Sequence, residues 1–153
     1  MKIQTTIIVA LLSGLIAVNS FAADEKDVKV TAAVAENCKI TSAEDINFGL
    51  LDPAEATDAK AQGSVNFACT RNVDYSVSAN EGSNFDSSTK SRRMIGADKN
   101  FLPYALEQDS FSGKGKGFSN PVSVSLAASL AGADYKDLPA DDYKDTLVVT
   151  INP

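Results

Sequence analysis

The sequence predicts an all-β domain, an antiparallel sandwich of immunoglobulin type. Three observations predict it: short runs in which apolar and polar residues alternate, turn chemistry between those runs, and no stretch beyond the N-terminal apolar segment with a long helical period. An all-β barrel is the alternative arrangement of the same strands.

The elements follow in order. Residues 1–22 carry one Lys, an uncharged apolar run from Ile7 to Val18, and small residues at Ser20 and Ala22. That is the layout of a secretory signal peptide, and the apolar run is short for a bilayer span, so a membrane anchor is the weaker reading. Cleavage after Ala22 leaves 131 of the 153 residues, enough for one domain with one proper core. The stretch "DVKVTAAVAENC", Asp27 to Cys38, alternates Val28, Val30, Ala32 and Val34 with mostly polar neighbours and reads as a strand with one apolar face. "GSVNFACT" alternates Val65, Phe67 and Cys69 against Ser64, Asn66 and Ala68. "VDYSVSA" follows with Val73, Tyr75, Val77 and Ala79, and Arg71-Asn72 marks a turn or bend between two strands or a jog within one long strand. "NFLPYALEQD" supplies Phe101, Leu102, Tyr104 and Leu106, with Pro103 predicting an edge strand or a bulge because proline donates nothing to a ladder. "PVSVSLAASL" sets Val122, Val124 and Leu126 against serines, and "DTLVVTINP" sets Leu147, Val149 and Ile151 against Thr146, Val148 and Thr150. The segments "NEGSNFDSSTKS", "SGKGKGFSNP" and "AGADYKDLPADDYKD" have the Gly, Ser, Asn, Asp and Pro content of turns.

Charge and composition remove whole classes of function. The net charge of −6 becomes −7 once the segment holding Lys2 is removed, which argues against nucleic acid or an anionic membrane as partner. The one cationic cluster, "KSRRM" at Lys90 to Met94, reads as a solvated turn. With no His in the chain, the commonest general base and transition-metal ligand are missing, and no Ser-His-Asp or Cys-His site can be built. Asp141, Asp142 and Asp145 sit in a loop where adjacent acids face water, and with Asp134 and Asp137 they lack the spacing of a helix-loop-helix calcium site. "GKGKG" at Gly113 to Gly117 lacks the helix and following Ser/Thr of a phosphate loop. Neither catalysis, a cofactor nor a metal is expected. The two cysteines, Cys38 and Cys69, travel to an oxidising compartment and are expected to form a disulfide closing a loop of roughly 30 residues, which stabilises a fold by about 3 to 4 kcal/mol in the chain-entropy model.

A resemblance adds what periodicity cannot supply. The mature N-terminus "ADEKDVKVTAAVAENC", then "INFGLLDP", "GSVNFACT", "YSVSANEGSN", "SRRMIG" with "LPYALEQD", and the closing "DDYKDTLVVTINP" stand in an order that resembles the spore coat protein U domain family. That family includes the subunits of archaic, Csu-type chaperone-usher pili of Gram-negative bacteria. The resemblance covers essentially the whole mature chain. It implies an incomplete immunoglobulin-like sandwich that lacks its last strand and is completed by donor-strand exchange, in which an extended segment of one subunit fills the open groove of the next. It implies an extension over residues 23–37 carrying the donor side chains Val28, Val30, Ala32 and Val34, a pilin domain over 38–153, and Leu147, Val149 and Ile151 on the strand bordering the acceptor groove. It makes Cys38–Cys69 the family disulfide. The implied partners are other pilus subunits, a periplasmic chaperone and an outer-membrane usher, with a route through the periplasm to a cell-surface fimbria serving adhesion and biofilm. One domain of this length is expected of a shaft or adaptor subunit.

Two other functions are weighed against this one. A spore coat or matrix protein would share the fold without an usher. A secreted carbohydrate- or calcium-binding module would use the acidic loop from Asp134 to Asp145, although a chain with no Trp supplies few aromatic platforms.

Overall fold

The computed structural model describes residues 23–153; the signal peptide expected over residues 1–22 lies outside the described residues. Residues 23–37 carry no strand and are exposed. Among the described residues, the alternating stretch read as a strand from sequence pairs in no ladder. Ordered pairing starts at β1 (Cys38–Glu44) and continues through β2 (Ala59–Cys69), β3 (Asp74–Ala79), β4 (Arg92–Ile95), β5 (Phe101–Leu106), β6 (Ser110–Lys114), β7 (Val122–Leu130), the single helical turn α1 (Gly132–Tyr135) and β8 (Val149–Asn152). Every ladder is antiparallel, and the strands form two sheets, ordered β1-β2-β7-β5-β4 and β6-β3-β8. The architecture is the predicted sandwich, and the barrel alternative is excluded by the two separate sheets.

Alternation builds the centre. In β2 the side chains of Val65, Phe67 and Cys69 are buried, and so are those of Val77 in β3 and Val124 and Leu126 in β7. Phe67 meets Tyr75 edge to face across the sandwich, with ring centroids 4.9 Å apart. A second cluster of Leu102, Tyr104, Ala128, Leu130 and Tyr135 fills the other end. On the outer face of the larger sheet the alternate positions are polar and pair across strands: Ser64 Oγ donates to Glu44 at 2.9 Å, Asn66 Nδ2 to Ser42 Oγ at 3.0 Å, and Gln62 to Ser125. Gly63 is required by a close approach, since a Cβ there would meet the Glu44 carbonyl at 2.5 Å and the Ile46 side chain at 2.9 Å.

The start of β1 is fastened to the end of β2. Cys38 and Cys69 are register partners joined by a disulfide. Next to it, the Thr70 amide donates to the Asn37 carbonyl at 2.9 Å, the Asn37 amide donates to Thr70 Oγ1 at 3.2 Å, and the Thr70 hydroxyl reaches the Ala35 carbonyl at 3.1 Å. The turn after Thr70 falls at Arg71-Asn72, as the sequence indicated, with Asn72 in the left-handed region at φ 64°.

Three local expectations are corrected. "KSRRM" is not a solvated turn: Arg92 to Ile95 form β4, paired with β5. Arg92 donates through Nε and Nη2 to the Asn80 carbonyl, at 3.1 and 3.0 Å, and bridges Asp109 at 3.2 Å. Arg93 bridges Asp86 at 3.0 Å and lies 4.0 Å over the Phe101 ring. The two guanidiniums have internal partners, which a reading of charge alone misses. Pro103 does not lie on an edge strand, because β5 sits between β4 and β7. It is tolerated because β7 pairs only with Ala105 and Leu106 of β5, leaving the proline position free of that ladder. The segment from Ser112 is not all turn, since β6 reaches Lys114 by pairing with β3 before the Gly-rich tip begins.

These contacts give two predictions. Replacing Cys38 and Cys69 by serine should lower the unfolding free energy by about 2 to 5 kcal/mol, and Phe67→Ala by about 3 to 5 kcal/mol, each read from urea unfolding midpoints. The second concerns acid. Hydrogen bonds from the Ser88 hydroxyl and amide, joined by Thr89, hold the Asp86 carboxyl at about 2, below its ordinary 3.8. A depressed carboxylate contributes stability above its unfolded value that is lost as pH falls through the folded one. Wild type should therefore lose more stability than Asp86→Asn between pH 3.8 and about 2 in acid titrations followed by circular dichroism.

Candidate functional site

Strand β1 is paired on one side only, with β2, and β8 on one side only, with β3. Among the described residues no ladder joins β1 to β8. An open groove therefore runs between the chain leaving β1 and the chain entering β8, with the core as its floor. Two cavities mark it. One of about 560 Å³ lies between residues 43–48 and 143–149, over Val65 and Leu126. The other, of about 450 Å³, continues between residues 46–53 and 138–144, over Leu102 and Tyr135. Ile46, Phe48, Met94 and Tyr143 line both, so the groove is continuous.

The β8 wall alternates with period two. Tyr143, Asp145, Leu147, Val149 and Ile151 are half-buried, whereas Lys144, Thr146, Val148, Thr150 and Asn152 are exposed. Leu147 precedes the strand rather than lying on it, yet it lines the groove together with Val149. Ile151 packs on the core cluster around Phe67. All three bordering residues proposed from sequence thus face inward on one wall. The four donor positions fall elsewhere: Val28, Val30 and Val34 are 84%, 93% and 86% exposed, and Ala32 is exposed as well.

Side chains from three segments hold the wall in place. The Asp145 carboxylate accepts hydrogen bonds from the Ser83 amide at 3.0 Å, the Asn84 amide at 3.2 Å, Asn84 Nδ2 at 3.0 Å and the Tyr104 hydroxyl at 2.7 Å. Gly82 is needed beside it: its φ is +87°, and a Cβ there would fall on the Asp145 carboxylate. Asn80 pairs with Val148 in both directions, its Oδ1 accepting from the Val148 amide at 2.9 Å and its own amide donating to the Val148 carbonyl at 3.0 Å. Ile95 and Lys144 exchange backbone hydrogen bonds at 2.9 and 3.1 Å. Burial, and then the Asp145 carboxylate beside it, push the Tyr104 hydroxyl well above its ordinary 10.0, so it stays a donor throughout the physiological range.

Chemically the groove offers apolar floor and unpaired backbone, the two things an extended segment needs. Among the described residues no group of three His, Cys, Asp or Glu is placed to hold a metal ion. The acidic loop is engaged locally: Asp141 accepts from the Ala97 amide, Asp145 is saturated as above, and Asp142 meets only the exposed Lys144 at 3.6 Å. Sequence reasoning missed Ile46, Phe48, Met94, Tyr104 and Asp145 as lining residues. The inward position of Asp145 was readable by extending the Leu147 alternation backward. The others required knowing which strands end beside the groove.

Comparison with known proteins agrees with this geometry. The family model of the Spore Coat Protein U domain matches residues 25–150. Among solved structures, the chain is similar to one in the crystal structure of the CsuC-CsuE chaperone-tip adhesion subunit pre-assembly complex from archaic chaperone-usher Csu pili of Acinetobacter baumannii. The identity there is 24% and the TM-score 0.51, with 77% of this chain covered. That likeness is one of fold, and the chain spans only 40% of the length of the solved chain. No curated protein matches. Because the family model covers nearly all of the described residues, from the free N-terminal segment to the last strand, the chain belongs to the Spore Coat Protein U domain family.

Proposed function

We propose that the protein is a structural, non-enzymatic subunit of a secreted archaic chaperone-usher pilus, polymerising by donor-strand complementation. One observation carries the proposal: the same chain bears an uncovered apolar groove between two unpaired strand edges and an uncovered apolar stripe of matching period at its N-terminus. Residues 23–37 act as the extension and residues 38–153 as the domain that receives it. Val28, Val30, Ala32 and Val34 of one copy enter the groove of the next, bordered by Leu147, Val149 and Ile151. Before assembly a periplasmic chaperone occupies the groove, and an outer-membrane usher exchanges it for the next subunit. The finished fibre stands at the cell surface and serves adhesion and biofilm formation. Membership of the family and the fold likeness to a Csu pilus complex support this reading.

The energetics are those of a missing strand. Each well-buried valine contributes roughly 1.5 to 3 kcal/mol, so the three valines supply about 5 to 9 kcal/mol. Association costs a comparable amount, about 4 to 15 kcal/mol. The valines alone therefore do not hold the fibre. The surplus comes from the ladder on both free edges and from covering the half-exposed groove residues such as Leu147 and Val149.

The test compares the wild-type chain with one lacking residues 23–34, by size-exclusion chromatography and by electrophoresis with and without boiling. Wild type should give ladders that collapse on boiling, and the truncated chain should stay monomeric while binding a synthetic "DVKVTAAV" peptide. A wild-type chain that remains a stable monomer and leaves the peptide unbound refutes the proposal.

A further inference from the structure

The groove is not uniform along its length. Of the five inward positions on the β8 wall, Tyr143, Asp145, Leu147, Val149 and Ile151, one is charged. Asp145 cannot swing aside, because four donors from the 83–84 loop and from Tyr104 hold its carboxylate. Tyr104 comes from the opposite sheet, so its 2.7 Å hydrogen bond to Asp145 spans the sandwich. A polar step thus crosses the groove, with Val65, Leu126, Leu147 and Val149 on one side of it and Leu102, Tyr135 and Leu138 on the other. The N-terminal stripe is not uniform either: of Val28, Val30, Ala32 and Val34, one is small.

We infer that Ala32 of one copy seats on the Asp145–Tyr104 step of the next, so that this pair fixes the register of assembly. The inference rests on the donor-strand reading above and adds to it a specific alignment. In an immunoglobulin sandwich the strand after β8 runs antiparallel to it, so a segment taking that place meets the wall positions in descending order. With Ala32 level with Asp145, Val30 lies level with Leu147, Val28 with Val149, and Val34 with Tyr143. Every valine then covers apolar lining. The carboxylate, already satisfied, receives only a methyl group that neither crowds it nor requires a new hydrogen bond. A slip of two residues is the smallest that keeps the apolar face inward. It sets Val30 or Val34 against the carboxylate and leaves Ala32 over apolar floor, which is an overpacking error and a void at once. Charge is consistent with the occupant: Lys29 is the only charged residue between Val28 and Ala35, and the groove lining carries Glu44, Asp45, Asp141, Asp142 and Asp145 against Lys144.

The test uses the full chain, expressed with residues 1–22 in place and recovered from the periplasm. Four leucine variants (Val28→Leu, Val30→Leu, Ala32→Leu, Val34→Leu) and four serine variants are scored for ladders that collapse on boiling. All eight changes lie in the exposed segment, where they remove no packing from their own domain. Ala32→Leu should cut ladder yield by about tenfold or more while Ala32→Ser leaves it near wild type, and the other three positions should show the reverse preference. Ladder formation by Ala32→Leu at the wild-type level overturns the register. So does leucine intolerance at position 30 or 34 instead, which identifies the slipped alignment. Absence of ladders from wild type overturns the donor-strand reading itself, and the register with it.

Discussion

Everything about this molecule turns on a sheet edge left unfinished. Two sheets close over a core around Phe67 and Leu102, but among the described residues no strand pairs with the outer edge of β1 or of β8. Exposed edges are ordinarily a liability, an invitation to pair with whatever extended chain arrives. Here the edges flank a trough with an apolar floor that includes Val65, Leu126 and Leu102. The proposed partner for them is the apolar stripe at the other end of the sequence, supplied by another copy. On that proposal a fibre follows, because a head-to-tail contact that does not close on itself propagates.

An open groove must survive long enough to be filled, and the structure shows what keeps it from collapsing. The wall entering β8 is tied on its outer side by Asn80, on its inner side by Asp145, and at its start by the Ile95–Lys144 backbone pair. Arg92 fixes Asn80 in turn, and Arg93 fixes Asn84 and Asp86, so the arginine pair of β4 serves the wall at one remove. At the opposite pole, the disulfide and the Thr70 contacts fasten the chain from Ala35 onward. These contacts begin at Ala35, directly after Val34.

Most of the fold was legible because it rests on period-two patterning. Val65-Phe67-Cys69, Val124-Leu126 and Val149-Ile151 each announce a strand with one buried face, and turn residues such as Arg71-Asn72 separate them. What patterning misjudged were places where a side chain's partner is remote in sequence. Arg92 and Arg93 read as a solvated turn because the carbonyls and carboxylates that receive them belong to loops 7 to 17 residues away. Pro103 read as an edge because its freedom from the β7 ladder is a matter of strand offset, not of sequence.

The sequence by itself determined the class of fold, the paired cysteines, the absence of histidine chemistry and the apolar stripe at the N-terminus. These are local properties, set by residue type and spacing. Only the tertiary structure decided that β1 and β8 stand next to each other unpaired, and that Ile46, Phe48, Met94 and Tyr104 converge on the gap between them. It also decided that the partner waiting for the inward-facing Asp145 is Tyr104, a tyrosine from the other sheet. Such facts depend on contacts between residues tens of positions apart, and no local pattern carries them, because the same alternation is satisfied whether the space beside a strand is filled or left for a neighbour.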